Sequence, residues 1–590
     1  MLNMDYDYDQ DAVAATTTKT IINPTTITTM QVQRKKKCNK HKINCRHNGK
    51  IMSQYLTILL SFLLIFVGNS GPTTQAAKIL GLFAHPSESN FAVMRTVMTE
   101  LARRQHNVTV ISSHRLNEDV DNLKEIIVEP EFQFWHKLQS TAGVRNGLHE
   151  LSQLSDSKLQ QALAVVGATS TEYFLSHERV QEFLRMTPAD FDYDLIIVDL
   201  FHTEALLMFG ELFNKPTVAL LSSNFEHYMT HVLDTVTPVA CSPIDFGQST
   251  PYVRDAGFWK RLSRVRQCMA RRRQFMQGNV AAQQKLIAKY FNHNKEQLPT
   301  VAELHAKLAV LFVNNHVPLA KPRPLLPNII SVGGVQVRRP RELPWHLKRT
   351  LDEARSGAIL VNLGNELMCQ EIPKATLAIL FSVLGRNQQQ RIIWTCHDVE
   401  RLDGMPANMM IQHMVPQTDI LAHPMLKLFV MNGDLLSLQE GILRHVPMLG
   451  IPIFREEHEN MDHAVALGVG LKLDYANISE ASLDWALQTV LKDSAYPLRI
   501  REVAGVFRNR PLGALETTMY WVDYVWRYGG AAHIRTAGLD IASNHLHLSD
   551  LFICYFVMTL VIVGTLISLI YVAHILWRRH QTEKLYSKLS

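Results

Sequence analysis

Cysteine is sparse. Cys38, Cys45, Cys241, Cys268, Cys369, Cys396 and Cys554 are scattered through 590 residues, with no Cys-x-x-Cys pair and no dense spacing. That pattern supports neither a thiolate zinc site nor a disulfide scaffold, and it leaves room for one bridge whose partners spacing cannot name. Charge is also modest: 19% of residues are charged and the formal net charge is +6. Much of that excess sits in one short stretch, Arg34, Lys35, Lys36, Lys37, Lys40, Lys42, Arg46 and Lys50. The rest of the chain therefore carries no nucleic-acid footprint. No internal short-period repeat is present.

What is present is a globular composition, 47% hydrophobic, in a chain too long for one ordinary core. Two domains with appendages are expected. Leu551 to Ala573 is an uncharged apolar run long enough to span a bilayer, and the expected membrane helix covers 551–577. Asp550 precedes it and Arg578, Arg579, Lys584 and Lys588 follow. The positive-inside rule then makes 578–590 a cytoplasmic tail and places the body in the lumen, a single-pass type I arrangement with membrane lipid as a partner.

A shorter run, "LTILLSFLLIFV" (Leu56 to Val67), follows a basic flank and precedes small residues, the layout of a secretory signal. The expected division is a leader at 1–51, too poor in apolar residues to fold, and a signal peptide at 52–77 with Met52 as working initiator. A cytoplasmic tail on an uncleaved signal anchor is the alternative. Sequons at Asn107 and Asn477 suit a lumenal body.

Beyond the signal, "KILGLFAH", the helical pattern "AVMRTVMTELARRQHN" and "VTVISS" make a βαβ unit. Parallel sheets place ligands at the carboxyl ends of their strands, so the loop from Pro86 to Phe91 is a candidate site. Further buried runs occur at Leu195 to Leu200, Thr217 to Ser222 and Leu308 to Val313. "GGVQVRRPRELPWH" (Gly333 to His346) breaks the pattern, and the alternation restarts with "AILVNLG". The expected architecture is α/β, with two facing Rossmann-like domains at 78–335 and 357–535 joined by a linker at 336–356.

"FVMNGDLLSLQEGILRHVPMLGIPIF" (Phe429 to Phe454) reads as strand, glycine turn, helix, strand. A helix N-terminus behind such a turn offers amides to an anion. Here the turn itself carries Asn432 and Asp434, with no cation nearby, and "SLQE" (Ser437 to Glu440) reads as a capping box.

From Met414 to Asn460 the chain keeps Pro416, Gln417, Asp419, His423-Pro424, Gly433, Glu440, Val446, Pro447, Pro452 and Asn460. With this block it resembles the animal UDP-glycosyltransferases, the membrane-anchored glucosyl- and glucuronosyltransferases of the endoplasmic reticulum. The resemblance implies a GT-B fold with the acceptor in the N-terminal domain and the UDP-sugar in the C-terminal one. It also implies metal-free inverting transfer of a hexose to a small lipophilic acceptor. No cofactor is needed beyond UDP-glucose or UDP-glucuronate as co-substrate; self-association stays open.

The resemblance further assigns residues, and several depart from the family pattern. The histidine base maps to Asn90 within Ser89-Asn90-Phe91, and an amide cannot take a proton. His85 is the only nearby imidazole, either a substitute base or a structural loop residue. Asp199, closing "LIIVDL", maps to the acid that orients the base; loop capping is the other reading.

On the donor side Gly364, Gln417 and Glu440 match, and Ser437 is counted among the donor-binding residues. Asn365 stands for a serine and Met414 for a tryptophan. Asn432, Gly433 and Asp434 replace the His-Gly-Gly of the diphosphate turn, and Glu456-Glu457 replaces the sugar-facing Asp-Gln. An aspartate at a helix N-terminus supplies the charge those amides would offer to phosphate. Two functions follow: a divergent transferase, or an impaired pseudoenzyme acting as a lumenal lipophile- or protein-binding module.

Overall fold

The structure, a computed structural model, describes residues 76–129, 132–144, 148–223, 258–292, 298–319, 325–364, 369–396, 402–535 and 549–589. The leader, nearly all of the signal segment and Asn365 lie outside the described residues. Ala77, assigned above to the signal, is fully buried, and its carbonyl accepts the Asn107 amide at 2.9 Å. It belongs to the first domain.

That domain is built on β1 (Lys78–Phe83), β2 (Asn107–Ser112), β3 (Leu123–Ile127), β4 (Leu195–Asp199), β5 (Thr217–Leu221), β6 (Val310–Val313) and β7 (Ile329–Ser331). They form one sheet in the order β3-β2-β1-β4-β5-β6-β7, with every pairing parallel. Helices cover both faces of such a sheet, which is why β1 and β4 read as unbroken apolar runs rather than alternating ones.

Helix α1 (Glu88–Arg103) follows β1, capped by Ser87, whose hydroxyl accepts the Asn90 amide at 3.4 Å. It buries Phe91, Met94, Met98 and Leu101. The expected loop from Pro86 to Phe91 is thus half helix: the Ser87 cap starts the helix early, and Ser89, Asn90 and Phe91 sit in its first turn. Helices α2 (Phe134–Ala142), α3 (Asp156–Ser176), α4 (Phe258–Phe275) and α5 (Ala281–Tyr290) build the remainder of this domain facing the cleft.

Most of the expected linker lies against the second domain. Leu347 and Leu351, on helix α6 (Trp345–Asp352), are buried in its core, and Arg338 pairs with both oxygens of Asp419 at 2.8 and 2.6 Å. The second sheet comprises β8 (Ala358–Asn362), β9 (Arg391–Thr395), β10 (Met409–Gln412), β11 (Leu426–Met431), β12 (Met448–Gly450) and β13 (Gly470–Lys472). Its order is β10-β9-β8-β11-β12-β13, again all parallel. Cys369 and Cys396 form a disulfide, Cα atoms 5.8 Å apart, which places the one bridge that spacing left unassigned.

Helices α7 (Leu435–Leu443) and α8 (Arg455–Leu467) follow β11 and β12. Helix α9 (Ala514–Arg527) departs from the expected division. Its Met519, Val522 and Val525 share a core with Ile79 and Val97 of the first domain, and Glu516 pairs with Arg104 at 2.7 Å. The end of the nominal C-terminal domain therefore crosses back and ties the lobes together. Helix α10 (Ser549–Leu589) contains the one stretch among the described residues, Leu551–Leu585, long and apolar enough to cross a membrane.

Candidate functional site

A cleft of about 1150 Å³, open to solvent, lies between the carboxyl edges of the two sheets. On one side it meets Ser89, Asn90, Phe134 and Leu163; on the other it meets Gly364, Asn432, Asp434 and Glu456. Helix α2 holds the two lobes together beside it. Trp135 is buried in the second domain's core and its indole N–H donates to Glu371, to which Gln139 also donates at 2.8 Å.

At the carboxyl edge of the second sheet runs a chain of side-chain hydrogen bonds. Asn362, ending β8, donates through Nδ2 to Gln417 Oε1 at 2.6 Å. Gln417 Nε2 in turn donates to Ser437 Oγ at 3.1 Å and to Glu440 Oε2 at 3.0 Å. Burial raises the Glu440 carboxyl to about 7, opposed by its hydrogen bonds from Gln417 and Thr418. Met414 is exposed, and with Gln417 and Glu440 it lines an adjoining hollow of about 1080 Å³.

The turn after β11 is filled from within. Gly433 has φ +99°, and a Cβ there would come within 2.8 Å of Met461 Cγ and 2.9 Å of the Glu457 carbonyl oxygen, so only glycine fits. Asp434 caps α7: its Oδ1 accepts the Ser437 amide at 2.9 Å. The cap is Asp434 and not the Ser437 box read from sequence, because the carboxylate reaches Ser437's own amide and starts the helix at Leu435. Loss of water pushes the Asp434 carboxyl above its ordinary range, against hydrogen bonds from Ser437 and Leu436.

Asn432 donates to Glu457, whose other oxygen accepts the Ile453 and Phe454 amides at 2.8 and 3.0 Å. Glu457, read from sequence as sugar-facing, spends both oxygens on the N-terminus of α8 and on the turn. Burial raises its carboxyl to about 8. Glu456 lines the cleft.

The sequence profile described as "UDP-glucoronosyl and UDP-glucosyl transferase" matches residues 78–584. The chain belongs to this family. The UDP-glucosyltransferase 2 of Dactylopius coccus is 28% identical over 467 residues, covering 79% of this chain and 87% of that one. Human UDP-glucuronosyltransferase 3A2 is 27% identical over 537 residues, covering 87% and 95%. Among solved structures, the glycotransferase of kitacinnamycin aligns with a TM-score of 0.49 at 15% identity, covering 77% of this chain and 100% of that one. Family membership and the two parallel sheets together make this a GT-B UDP-glycosyltransferase fold.

On the acceptor side Asn90, which the resemblance sets at the base position, accepts through Oδ1 from Ser222 Oγ at 2.8 Å, just after β5. His85 is buried; its Nδ1 accepts the Ser87 amide at 3.1 Å, and burial lowers its imidazole to about 3, too weak a base for a hydroxyl at neutral pH. Asp199 closes β4 and accepts the Phe201 amide at 3.1 Å, while burial raises its carboxyl to about 7. No hydrogen bond joins it to Asn90 or His85. Asp199 thus caps the loop after β4 and His85 holds the Ser87 amide.

Sequence reasoning passed over Asn362, although it lies within "AILVNLG". It also passed over Asp156 at the start of α3, which pairs with Arg455 of the second domain at 2.8 Å and with Arg271 of α4 at 3.1 Å. A pair 299 residues apart leaves no local signal.

Proposed function

We propose that the protein is a membrane-bound transferase moving a hexose from a UDP-sugar to a small lipophilic acceptor, with inversion and without a metal, at a reduced rate. The observation that supports this reading is the Asn362–Gln417–Ser437–Glu440 chain, a set of polar side chains of the kind that could meet a nucleoside's hydroxyls. The apolar wall of Phe134, Leu138 and Leu163 opposite suits a lipophilic acceptor. Location in the endoplasmic reticulum membrane with a lumenal body agrees with α10 and the charge behind it.

A second reading has its own support. With Asp434 capping α7, the amides that would stabilise a leaving diphosphate are already occupied, and Asn90 offers no base. A binding module that keeps the cleft and performs no transfer fits those two facts.

Titrating UDP and UDP-sugars into the detergent-solubilised chain separates the two. The transferase reading expects a UDP Kd of about 0.1–1 mM, corresponding to roughly −4 to −5.5 kcal/mol, and slow transfer to a phenol with an inverted product. No UDP binding at saturating nucleotide would leave the binding-module reading standing.

A further inference from the structure

Between α3 and α4 of the first domain and Arg455 of the second lies a pocket of about 420 Å³ whose mostly apolar lining is interrupted by a few polar groups. His202 and Asn279 line it, both nine-tenths or more buried. Each is held there against local preference. His202 has φ +61°, a left-handed backbone uncommon outside glycine though one that histidine adopts more readily than most side chains. Gly167 on α3 lets it approach, since a Cβ at 167 would stand 2.4 Å from His202 Cβ and 2.6 Å from its carbonyl oxygen. Asn279 lies on a π-helical turn, Met276–Val280, inserted between α4 and α5. Such turns and such backbone strain concentrate at functional sites.

The polar atoms are incompletely used. Asn279 Nδ2 donates to Glu204 at 2.6 Å, whereas Asn279 Oδ1 and His202 Nδ1 make no hydrogen bond of good geometry, and the Asn279 side chain only weakly opposes the effect of burial on the imidazole. Buried groups left this way cost free energy unless something else satisfies them. The pocket is a neighbour of the cleft, for Asp156, Gln160 and Arg455 line both. The His85 and Phe201 rings are 5.0 Å apart and those of Phe201 and His202 4.9 Å, so the two imidazoles lie within about 10 Å.

We propose that this pocket selects acceptors by taking an uncharged hydroxyl or carbonyl at the far end of a two-ended lipophilic molecule whose near end lies in the cleft beside Asn90. This rests on the reading of the cleft as an acceptor site. An uncharged group is specified because burial keeps the His202 imidazole neutral, lowered to about 4, and because Asp156 already pairs with Arg271 and Arg455. A neutral imidazole donates or accepts at Nδ1 according to its tautomer, so either group can be met.

The test compares 4-hydroxybiphenyl with 4,4′-dihydroxybiphenyl, titrated calorimetrically into the full chain in detergent without nucleotide. The diphenol should bind about tenfold more tightly, roughly the gain from one well-made buried hydrogen bond. Two variants should abolish that preference and leave the monophenol unchanged. Gly278→Leu fills the pocket, where an added Cβ meets only Ala164 Cβ at 3.9 Å. His202→Asn removes the imidazole yet tolerates the left-handed backbone.

Equal binding of the two phenols to wild type would overturn the inference, as would a preference surviving both variants; a water-filled structural pocket would give that result. If neither phenol binds, the acceptor reading of the cleft fails with it, whereas equal binding of both leaves that reading intact.

Discussion

Replacing Asp434 by glycine should strengthen UDP binding. Its carboxylate occupies the Ser437 amide at the start of α7, where a diphosphate would otherwise be received. Two like charges about 4 Å apart repel by about 4 kcal/mol at an effective dielectric of 20. Solvent and relaxation will remove much of that, so a gain of about ten- to a thousandfold is expected, equivalent to about 1.4–4 kcal/mol. Folding should lose only a few tenths of a kcal/mol, the usual difference when glycine replaces a good N-cap. Adding Asn432→His should augment the gain by supplying a donor to phosphate. Calorimetric titration of UDP at pH 7 into wild type and both variants measures the effect. An unchanged Kd in a variant of unchanged stability would refute the reasoning, and would mean that the shape of the turn, not its charge, excludes the nucleotide.

Glu457→Gln should alter the pH dependence of stability. The folded chain raises this carboxyl from 4.5 to about 8, so between those values the native state holds a proton that the unfolded state has released. Stability from this group is full below the unfolded value and is lost as pH rises through about 8. The variant should therefore gain on wild type by a few kcal/mol from acid to mildly alkaline pH, measured by thermal unfolding; parallel curves would count against a buried, protonated Glu457. Protease added to intact microsomes should clip only the short tail after Arg579, and digestion of the body would reverse the proposed topology.

Features set by local chemistry were readable along the chain. Runs such as "LIIVD" and "AILVN" announced buried parallel strands, because both faces of each strand are covered and no polar alternation is needed. Gly433 and the polar residues after it marked the turn. What could not be read depends on competition or on distance. Asp434 and Ser437 both suit an N-cap, and only the backbone shows which takes the role. The crossing of α9 onto the first domain, the Asn362–Gln417 bond and the Asp156–Arg455 pair join segments far apart in sequence. Glu457 lines the cleft as its position led one to expect, but its bonds to two backbone amides and Asn432 were not legible.

The central proposal is that this UDP-glycosyltransferase cleft works without a histidine base. The most direct measurement is the rate of hexose transfer from labelled UDP-glucose and UDP-glucuronate to a phenol by wild type, Asn90→His and His85→Gln. Asn90→His should raise the rate by about a hundredfold or more, the ordinary worth of a positioned general base. His85→Gln should leave the slow wild-type rate unchanged, since an imidazole lowered to about 3 takes no proton from the acceptor. Rapid transfer by wild type that Asn90→His does not improve and His85→Gln abolishes would contradict the account.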